Sequence, residues 1–540
     1  MGGDQDWWRG AVIYQIYPRS FQDSSGSGVG DLKGITARLE HVARMGVEAI
    51  WISPFFPSPM ADMGYDISDY TGVDPMFGTL EDFDHLTARA HALGLKVIID
   101  QVLNHTSDQH AWFKESRVNR SNPKADWYVW ADPQRDGTAP NNWLSVFGGP
   151  AWEWDGVRQQ YYLHNFLASQ PDLNFHCAEV QTALLDAVEF WLKRGVDGFR
   201  LDTANFFFHD PELRSNPPAD SDGPAGIGAD APDVNPYGMQ SHRYSKSQPE
   251  NIAFLEKFRA LMDQYGATTT VGEVGDARAI ELVGQYTATG KRLHMCYTFD
   301  LLSERFSADF VEHTVAQFDA AVTDGWVCWA LSNHDVVRHA SRWAGEGRAP
   351  DALARFGIQL LAGLRGSICL YQGEELGLTE ADIAYEDLQD NYGKRFWPAY
   401  KGRDGCRTPM VWDATAGGGF SDGKPWLPVP EAHLAQAVSE QDGEPTSVLE
   451  HYRSVLAWRK ETDALRLGTQ TFVEAPGNVL WIERSYGNKV LTLLYNFDVE
   501  ATEIEVPPLT PAGLPGAHGN LDGTRLKLPG LGVFAGWRDS

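Results

Sequence analysis

The 540-residue sequence has few cysteines and a marked shortage of positive charge. Its five cysteines are scattered, odd in number and free of CxxC pairs, which disfavours a disulfide framework or zinc site and favours free thiols in a reducing compartment. Only 45 lysines and arginines stand against 73 aspartates and glutamates, giving a formal net charge of −28. A chain this acidic repels nucleic acid and anionic membrane surfaces, so we expect neither as a partner, and it disfavours phosphorylated substrates.

The sequence also lacks a long apolar run and a targeting segment. No stretch approaches the ~18–20 apolar residues of a membrane helix. The start, MGGDQDWWRGAVIY, has no basic segment followed by an apolar core. We therefore expect a cytoplasmic protein without a membrane span or signal peptide. By contrast, hydrophobic residues make up 43% of the chain, enough for a large core, and the length indicates more than one domain.

Short apolar segments alternate with amphipathic helical segments over most of the chain. This alternation predicts parallel strands joined by helical crossovers. Eight such units predict a closed (β/α)8 TIM barrel with its active site at the C-terminal ends of the strands. A doubly wound open sheet is the alternative, although no glycine-rich phosphate loop follows the first strand. The predicted strands are 12–17, 49–54, 96–102, 198–203, 268–274, 296–302, 328–335 and 367–375.

Two insertions and one change of pattern divide the chain. A Trp-, Pro- and Asn-rich insertion at 106–175 follows the third strand, and a Gly/Pro/Asp-rich excursion at 207–248 follows the fourth. The excursion is either a disordered surface insertion or a mobile lid beside the site. Alternating strands close the chain. We predict the barrel at 1–105 and 176–467, an inserted subdomain at 106–175, and a C-terminal antiparallel, β-sandwich-like domain at 468–540.

Acidic residues collect at the C-terminal ends of the predicted strands. Asp100 ends the third, Asp202 the fourth, Glu273 the fifth and Asp335 the seventh. A barrel brings them together around one mouth, where crowded like charges are costly unless they are used. Arg200 lies two residues before Asp202, so both side chains point to the same side of the strand. The pair is either a structural ion pair or a device that delivers a carboxylate to a reaction.

These residues also carry a resemblance to a known family. The α-amylase superfamily has four ordered motifs that resemble DQVLNH (100–105), GFRLDTANF (198–206), VGEV (271–274) and SNHD (332–335). A fifth, QPDLNF (170–175), resembles the motif typical of the oligo-1,6-glucosidase and α-glucosidase branch. The segments WWRGAVIYQIYPRSFQDS, GYDISDY and GRDGCRTPM extend the resemblance over almost the whole chain. The closest resemblance is to bacterial α-glucosidases that transfer α-glucosyl groups to non-sugar acceptors.

The resemblance implies a role for each acidic residue. Asp202 is expected to be the nucleophile that forms a covalent glucosyl-enzyme, held ionised and oriented by Arg200. Glu273 is expected to protonate the leaving oxygen and then activate the acceptor, with a raised pKa that keeps it protonated. Asp335 is expected to bind the ring hydroxyls and to grip more tightly as the sugar distorts.

The resemblance also implies the contacts to one terminal glucose. His105 and His334 correspond to imidazole donors around the sugar, and Tyr65 to the aromatic that stacks under its ring. The outer hydroxyls are expected to meet Asp62 and Arg403, with Arg407 as the alternative arginine, while Phe147 and Phe166 form walls of the pocket and the acceptor site. Thr203, followed by Ala204, is typical of members that prefer α-1,4 bonds, whereas those that prefer α-1,6 bonds commonly have Val.

The expected function is that of a retaining exo-α-glucosidase or α-glucosyltransferase. It would take terminal α-1,4-linked glucose from maltose-like substrates and pass it to water or to the hydroxyl of an alcohol, phenol or sugar. An oligo-1,6-glucosidase and a trehalose- or sucrose-acting relative are the alternatives. A non-enzymatic transporter-partner scaffold is disfavoured because the catalytic acids are present and no membrane span is seen. We expect a monomer or homodimer.

One motif departs from the family pattern. Relatives have an acidic calcium-binding loop after the first strand, and here the loop reads DSSGSGVGD (23–31), which keeps Asp23 and Asp31 but places Ser at 25 and 27. The loss of a charged ligand weakens a hard-cation site. We therefore expect no required cofactor and at most a weak structural Ca²⁺ or Mg²⁺ at Asp23 and Asp31, away from the chemistry.

Overall fold

The computed structural model of the chain describes residues 5–219, 234–322, 324–345 and 347–540. Part of the predicted lid, 220–233, lies outside the described residues. In chain order the strands are β1 Val12–Ile16, β2 Ala49–Ile52, β3 Lys96–Gln101, β4 Trp130–Ala131, β5 Trp152–Asp155, β6 Gln160–Leu163, β7 Gly198–Leu201, β8 Thr269–Val274, β9 Met295–Thr298, β10 Cys328–Trp329, β11 Ser367–Tyr371, β12 Thr469–Phe472, β13 Val479–Tyr486, β14 Lys489–Asn496, β15 Thr502–Glu505, β16 Thr510–Pro511, β17 Asn520–Asp522, β18 Arg525–Leu528 and β19 Val533–Asp539.

Eight parallel strands form the barrel that the sequence predicted. Their order is β10-β11-β1-β2-β3-β7-β8-β9. A parallel bridge between Cys296 and Val327 joins the two edge strands. All eight predicted strands are present, so the (β/α)8 prediction is confirmed, but several are shorter than predicted. The largest difference is in the seventh, where only Cys328 and Trp329 are in a strand and Asp335 lies in the following loop.

The barrel strands are buried on both faces, which is why they read as continuous apolar runs. Ile13 on β1, Trp51 on β2 and Ile98 on β3 face the barrel interior and share one apolar cluster, whereas their neighbours along each strand pack under the helices. This alternation follows from the two-residue period of a strand. Arg200 and Asp202 have the inward parity on β7, so both point into the mouth of the barrel.

Helices cover the outside of the barrel, and side-chain caps set several of their starts. The Asp31 carboxylate accepts from the Gly34 N–H to cap the first helix, and Thr79 and Asp82 form a capping box on the second. In chain order the helices are α1 Leu32–Arg44, α2 Leu80–Ala92, α3 Ala111–Ser116, α4 Ala178–Lys193, α5 Asn251–Met262, α6 Ala279–Thr287, α7 Ala308–Ala321, α8 His339–Arg342, α9 Pro350–Gly363, α10 Asn391–Phe396, α11 Glu431–Leu434, α12 Val438–Gln441, α13 Val448–Glu461 and α14 Asp463–Leu467.

The insertion after β3 contains α3 and a three-stranded antiparallel sheet, β4-β6-β5. Trp143 and Trp152 stack in its small apolar core. The described part of the excursion after β7 is attached to this insertion: Asn141 Nδ2 donates to the Leu213 oxygen over 3.0 Å, and Asn142 Nδ2 to the Asn216 oxygen over 2.8 Å. The insertion and the excursion therefore meet beside the barrel mouth.

The C-terminal residues form two antiparallel sheets, as predicted. One sheet has the order β12-β13-β14-β19-β16 and the other β15-β18-β17. Trp481 and Phe534 from the first sheet share an apolar cluster with Ile504 and Leu526 from the second, which makes this unit sandwich-like. Across the described part of the chain, every helix falls short of the length and apolar character that crossing a membrane requires.

Candidate active site

A single pocket at the C-terminal mouth of the barrel gathers the residues that the sequence singled out. Its lining includes all but one of the predicted catalytic and substrate-contact residues, namely Asp62, Tyr65, His105, Phe147, Phe166, Asp202, Thr203, Glu273, His334, Asp335 and Arg403. The remaining one, Arg200, lies directly beneath, with its side chain fully buried. The sequence did not single out seven further lining residues, which are Val146, Phe206, Gly275, Phe299, Val336, Tyr392 and Tyr400.

Arg200 connects three carboxylates at the floor of the pocket. Its Nη1 lies 2.9 Å from Asp100 Oδ1 and 2.6 Å from Asp202 Oδ1, and its Nη2 lies 2.5 Å from Glu273 Oε1. Nη2 also donates to the Tyr297 hydroxyl over 2.8 Å. The planar guanidinium thus fixes the relative positions of the acids on β3, β7 and β8. The Arg200–Asp202 ion pair is present, and it positions an acid that reaches the pocket; that this acid takes part in a reaction stays a prediction.

Burial dominates the titration of Asp202 and Glu273. It raises the pKa of each carboxyl to about 7, against an opposing effect of Arg200. Asp100, in contact with the same arginine, has a pKa raised to about 6, again by burial. Asp202 raises the pKa of Glu273, whereas Asp100 and Asp335 raise that of Asp202. With both pKa values at about 7, the two carboxyls titrate together around neutral pH and carry about one proton between them there. A pair in that state offers one ionised carboxylate and one acid.

The backbone just after Asp202 turns sharply and contacts Glu273. Thr203 has a φ of 43°, which is rare for a β-branched residue, and its N–H donates to Glu273 Oε2 over 3.1 Å. The Ala204 N–H donates to the Glu273 carbonyl oxygen over 2.9 Å. On the other side, the Tyr297 hydroxyl donates to Glu273 Oε1 over 2.6 Å. Glu273 is therefore held in one orientation by donors from β7 and β9.

Asp335 reaches the pocket from a loop, and two arginines hold it. Arg403 Nη1 lies 3.1 Å and Arg407 Nη2 2.9 Å from its Oδ1, and Asn333 Oδ1 accepts from the Asp335 N–H in the turn that ends the strand early. Burial alone would raise the pKa of Asp335, but His334 and the two arginines outweigh it and hold that pKa well below the usual range. This carboxylate stays ionised.

A polar cluster around Arg403 forms part of the pocket lining. Arg403 Nη2 lies 2.8 Å from Asp62 Oδ1 and 2.8 Å from Asp390 Oδ1. Gln170, from the fifth motif, donates to Asp62 Oδ2 over 3.0 Å and contacts the His105 ring. Burial raises the pKa of Asp62 in spite of Arg403. The cluster adds paired donors and acceptors to the lining of the pocket that Asp202 and Glu273 also line.

Neutral imidazoles complete the polar lining. Tyr65 and His334 are stacked, with ring centres 5.2 Å apart and planes 4° apart, and the Tyr65 hydroxyl lies 2.6 Å from His334 Nε2. Burial lowers the pKa of His334 to about 3 and that of His105 to about 4. Both rings are therefore uncharged at neutral pH. Protein groups already contact both nitrogens of each ring, Gln15 and Tyr65 in the case of His334, and Asn104, Tyr65 and Gln170 in the case of His105.

Aromatic side chains form one side of the pocket. Phe166 lies between Phe147, at 5.7 Å, and Phe206, at 5.4 Å between ring centres, and Phe147 contacts Tyr392 at 5.0 Å. Phe147 and Phe166 come from the insertion, so the inserted subdomain supplies one wall of the pocket. Arg403 lies 5.0 Å over the Phe147 ring, which joins this wall to the polar end.

Sequence reasoning missed three residues that organise the site. Tyr297 lies near the end of β9, but the rule that identified Asp202 and Glu273 considered only acidic residues, and the predicted strand 296–302 placed position 297 near its start. Gln170 stands inside the quoted fifth motif but was not singled out. Asp390, which orients Arg403, precedes α10 far from any strand end and gives no signal in the sequence. Arg407 does not line the pocket; its Nε donates to the His334 carbonyl oxygen and its Nη2 holds Asp335.

The loop from Asp23 to Asp31 does not fit a bound cation. Asp23 accepts from the N–H groups of Ser25, Gly26 and Gly28 and from the Ser421 hydroxyl, while Asp31 caps α1. Lone pairs used in this way are not free to bind a hard cation. Among the described residues, no cluster of three or more His, Cys, Asp or Glu is placed to hold a metal ion.

Comparisons with known proteins identify the family of the chain. Residues 15–468 match the family model described as the alpha amylase catalytic domain. A probable alpha-glucosidase of Rhizobium meliloti (strain 1021) is 57% identical over 98% of this chain and 97% of its own length. An oligo-1,6-glucosidase of Heyndrickxia coagulans is 36% identical over 86% of this chain and 87% of its own.

Two solved structures are also similar to the chain over almost its whole length. The alpha-glucosyl transfer enzyme XgtA is 56% identical and superposes with a TM-score of 0.95, over 98% of this chain and 99% of its own. The trehalulose synthase MutB is 33% identical, with a TM-score of 0.88 over 99% of this chain and all of its own. An eight-stranded barrel with paired carboxylates at its mouth defines the class as a barrel glycoside hydrolase. The chain belongs to the alpha-amylase family, and the resemblance seen in its sequence motifs is confirmed.

Proposed function

We propose that the protein is a retaining exo-α-glucosidase that also transfers glucose to acceptor hydroxyls. The observation that carries the proposal is the composition of one pocket, which is lined both by the buried Asp62–Arg403 ion pair and by the carboxyls of Asp202 and Glu273. In the proposed mode of binding, the ion pair meets the outer hydroxyls of a terminal glucose and leaves no room for a chain that continues past it. Neutral imidazoles, aromatic walls and hydrogen-bonding carboxylates suit an uncharged sugar ring.

The chemistry uses the two carboxyls in turn. Ionised Asp202 attacks the anomeric carbon while protonated Glu273 gives its proton to the glycosidic oxygen, so the bond between that oxygen and the anomeric carbon breaks. The product is a glucosyl ester on Asp202 and a free leaving alcohol. Glu273, now ionised, takes the proton of an incoming hydroxyl as that oxygen attacks the anomeric carbon and releases Asp202. Two inversions retain the α configuration.

Asp335 contributes a negative charge that is present before the reaction begins. Held ionised by Arg403 and Arg407, it accepts hydrogen bonds from the ring hydroxyls, and those bonds strengthen as positive charge develops on the sugar. The Asp62–Arg403 cluster binds the outer hydroxyls of the same glucose. These interactions require no rearrangement during the reaction, because each carboxylate already has its cationic partner.

The apolar part of the pocket lining favours transfer to apolar acceptors. The lining includes Phe206, Phe299 and Val336, together with Tyr400. Such side chains bind phenols and alcohols and reduce the chance that water reaches the glucosyl ester first. The likeness to an alpha-glucosyl transfer enzyme supports this assignment. The proposed preference for α-1,4 bonds rests on the family resemblance at Thr203 and Ala204.

The proposal is tested by incubating the protein with maltose and an excess of a simple phenol, and by measuring free glucose and phenyl α-glucoside together. We expect both products, with α configuration in the glucoside and maltose consumed faster than isomaltose. Faster cleavage of isomaltose would favour the oligo-1,6-glucosidase alternative. No turnover of maltose, isomaltose, sucrose or trehalose would contradict the proposal. A cytoplasmic location and a monomeric or homodimeric state remain predictions from the sequence.

A further inference from the structure

Lys246 is a buried lysine that the proposed mechanism does not use. Its side chain is 1% exposed and lies at the end of the excursion after β7, where its Nζ donates to the carbonyl oxygen of Gly275 over 2.7 Å. An ammonium group taken out of water costs free energy that a methionine of similar volume would not. Burial lowers the pKa of Lys246 to about 8, with Asp276 opposing and Arg278 reinforcing the shift, so the group is a cation at neutral pH.

The carbonyl that Lys246 holds belongs to the segment that carries Glu273. Gly275 is the second residue after Glu273, just past the end of β8, and it lines the pocket. Asn205 holds Gly275 as well: its Nδ2 donates to the Gly275 oxygen over 3.1 Å and its Oδ1 accepts from the Gly275 N–H over 3.2 Å. Lys246 and Asn205, from different segments of the chain, therefore both hold the backbone that follows Glu273.

Lys246 also contacts the wall of the pocket. Its Nζ lies 4.8 Å from the ring centre of Phe206 and 5.6 Å from that of Tyr237. A cation over an aromatic face is attracted by the ring quadrupole, more strongly where water is excluded. Next to it, Ser247 Oγ donates to Asp276 Oδ2 over 2.6 Å, so the excursion is tied to the loop after β8 at two successive residues.

We propose that Lys246 is a positioning residue for the acid/base step. Through the Gly275 carbonyl and the Phe206 ring, its ammonium group holds Glu273 where it can protonate the leaving oxygen. The inference rests on the proposed role of Glu273. A structural lysine and a positioning lysine predict different results on substitution. Only for a positioning lysine does the loss of activity depend on whether the leaving group needs a proton. Dinitrophenolate leaves without a proton, whereas a sugar alcohol needs one.

The test compares kcat/KM for 2,4-dinitrophenyl α-glucoside with kcat/KM for maltose or isomaltose, whichever the wild type cleaves faster. For Lys246→Met we expect a loss of about 10- to 100-fold on the disaccharide, part of the ~10²–10⁴ that general acid catalysis contributes, and less than about threefold on the aryl glucoside. The ratio of the two kcat/KM values does not depend on the fraction of folded protein. The comparison therefore remains valid for a partly unfolded sample. Lys246→Arg, which keeps the charge, is expected to retain most of the disaccharide activity.

Two further measurements separate positioning from scaffolding. In Lys246→Ala, added methylammonium ions are expected to restore disaccharide cleavage severalfold and to leave the wild type unchanged. Lys257→Met is the matched control, since Lys257 is an exposed lysine on α5 whose Nζ donates to Gln181, and it should match the wild type. Equal losses on both substrates, or no loss, would overturn the inference. A wild type that cleaves neither disaccharide would instead remove the proposed function, so the two failures are distinguishable.

Discussion

At the scale of single residues, Arg200 sets the arrangement of the reaction centre. A fully buried guanidinium contacts Asp100, Asp202 and Glu273 at 2.5–2.9 Å, so three acids share one positive charge. The arginine compensates only part of the cost of burial, and the pKa values of Asp202 and Glu273 stay raised. Part of the cost of burying these carboxyls therefore remains uncompensated. In the proposed mechanism, it keeps one of the two carboxyls protonated near neutral pH.

Replacement of either proposed catalytic acid should abolish turnover without unfolding the chain. We expect Asp202→Asn to lower kcat on maltose by orders of magnitude, because the amide cannot form the glucosyl ester. Glu273→Gln should cost about 10²–10⁴-fold on maltose and much less on 2,4-dinitrophenyl α-glucoside. Steady-state assays with circular dichroism as the folding control check both. Near-normal activity in either variant would remove that residue's assignment.

The pH dependence follows from the raised pKa values. The pair needs one proton, so kcat/KM on maltose should be bell-shaped with its maximum near pH 7, falling on the acid side as both carboxyls protonate and on the alkaline side as both ionise. A profile that is flat between pH 5 and pH 9 would contradict this pattern.

The same shifts predict the stability of the variants. Because the folded chain binds more protons than the unfolded chain between the ordinary pKa values, 3.8 and 4.5, and about 7, these groups make the free energy of unfolding fall as pH rises through that window. Above pH 7, Glu273→Gln should therefore be more stable than the wild type by about 1–3 kcal/mol. Urea unfolding at pH 5 and pH 8 measures it, and a gain that is larger at pH 5 would contradict the explanation.

At the scale of elements, the sequence predicted the strands better than the loops between them. Strand parity identifies Asp100, Arg200 and Glu273 because a side chain's direction repeats every two residues. This rule applies only within a strand. Asp335 lies beyond its strand, and the Asn333 turn and two arginines position its side chain. Asp390 follows no periodic element, and its contact with Arg403 joins residues 13 positions apart in a loop. Contacts of this kind depend on tertiary packing, which no local pattern encodes.

The loop from Asp23 to Asp31 gives an element-scale prediction about metal removal. Backbone N–H groups and hydroxyls already satisfy both carboxylates, so EDTA treatment should leave the thermal midpoint and the activity on maltose unchanged. Asp23→Ala should lower stability, since it leaves the buried Gly28 N–H group without its acceptor, at a cost of about 1–3 kcal/mol. Differential scanning fluorimetry with and without EDTA or Ca²⁺ checks this, and a rise of several degrees with Ca²⁺ would contradict it.

At the scale of the whole molecule, the C-terminal sheets and the barrel share one core. Leu491, Leu493 and Tyr495 on β14 belong to the same apolar cluster as Leu360 on α9. Arg484, buried on β13, donates to the carbonyl oxygens of Gly363 and Gly468. The boundary near residue 468 therefore separates two patterns of secondary structure but not two independent cores.

This shared core predicts how the chain unfolds. Calorimetry should show a single transition for the full chain, and a chain ended at residue 467 should be insoluble, because the cut exposes apolar surface that β14 covers. The ratio of the calorimetric to the van't Hoff enthalpy tests the first expectation. Two resolved transitions, or a soluble and active truncated chain, would show that the two units are stable separately.

The Asp62–Arg403 ion pair in the pocket has a consequence for large substrates. If it restricts the pocket to a terminal glucose, as proposed, the rate depends on the number of free ends of a polysaccharide and not on the mass behind them. At equal weight, a branched glucan presents more such ends than a linear one, so its initial rate of glucose release should be higher in proportion to branching. Viscosity would hardly change during early digestion, since shortening from the tips leaves the backbone of the polymer intact.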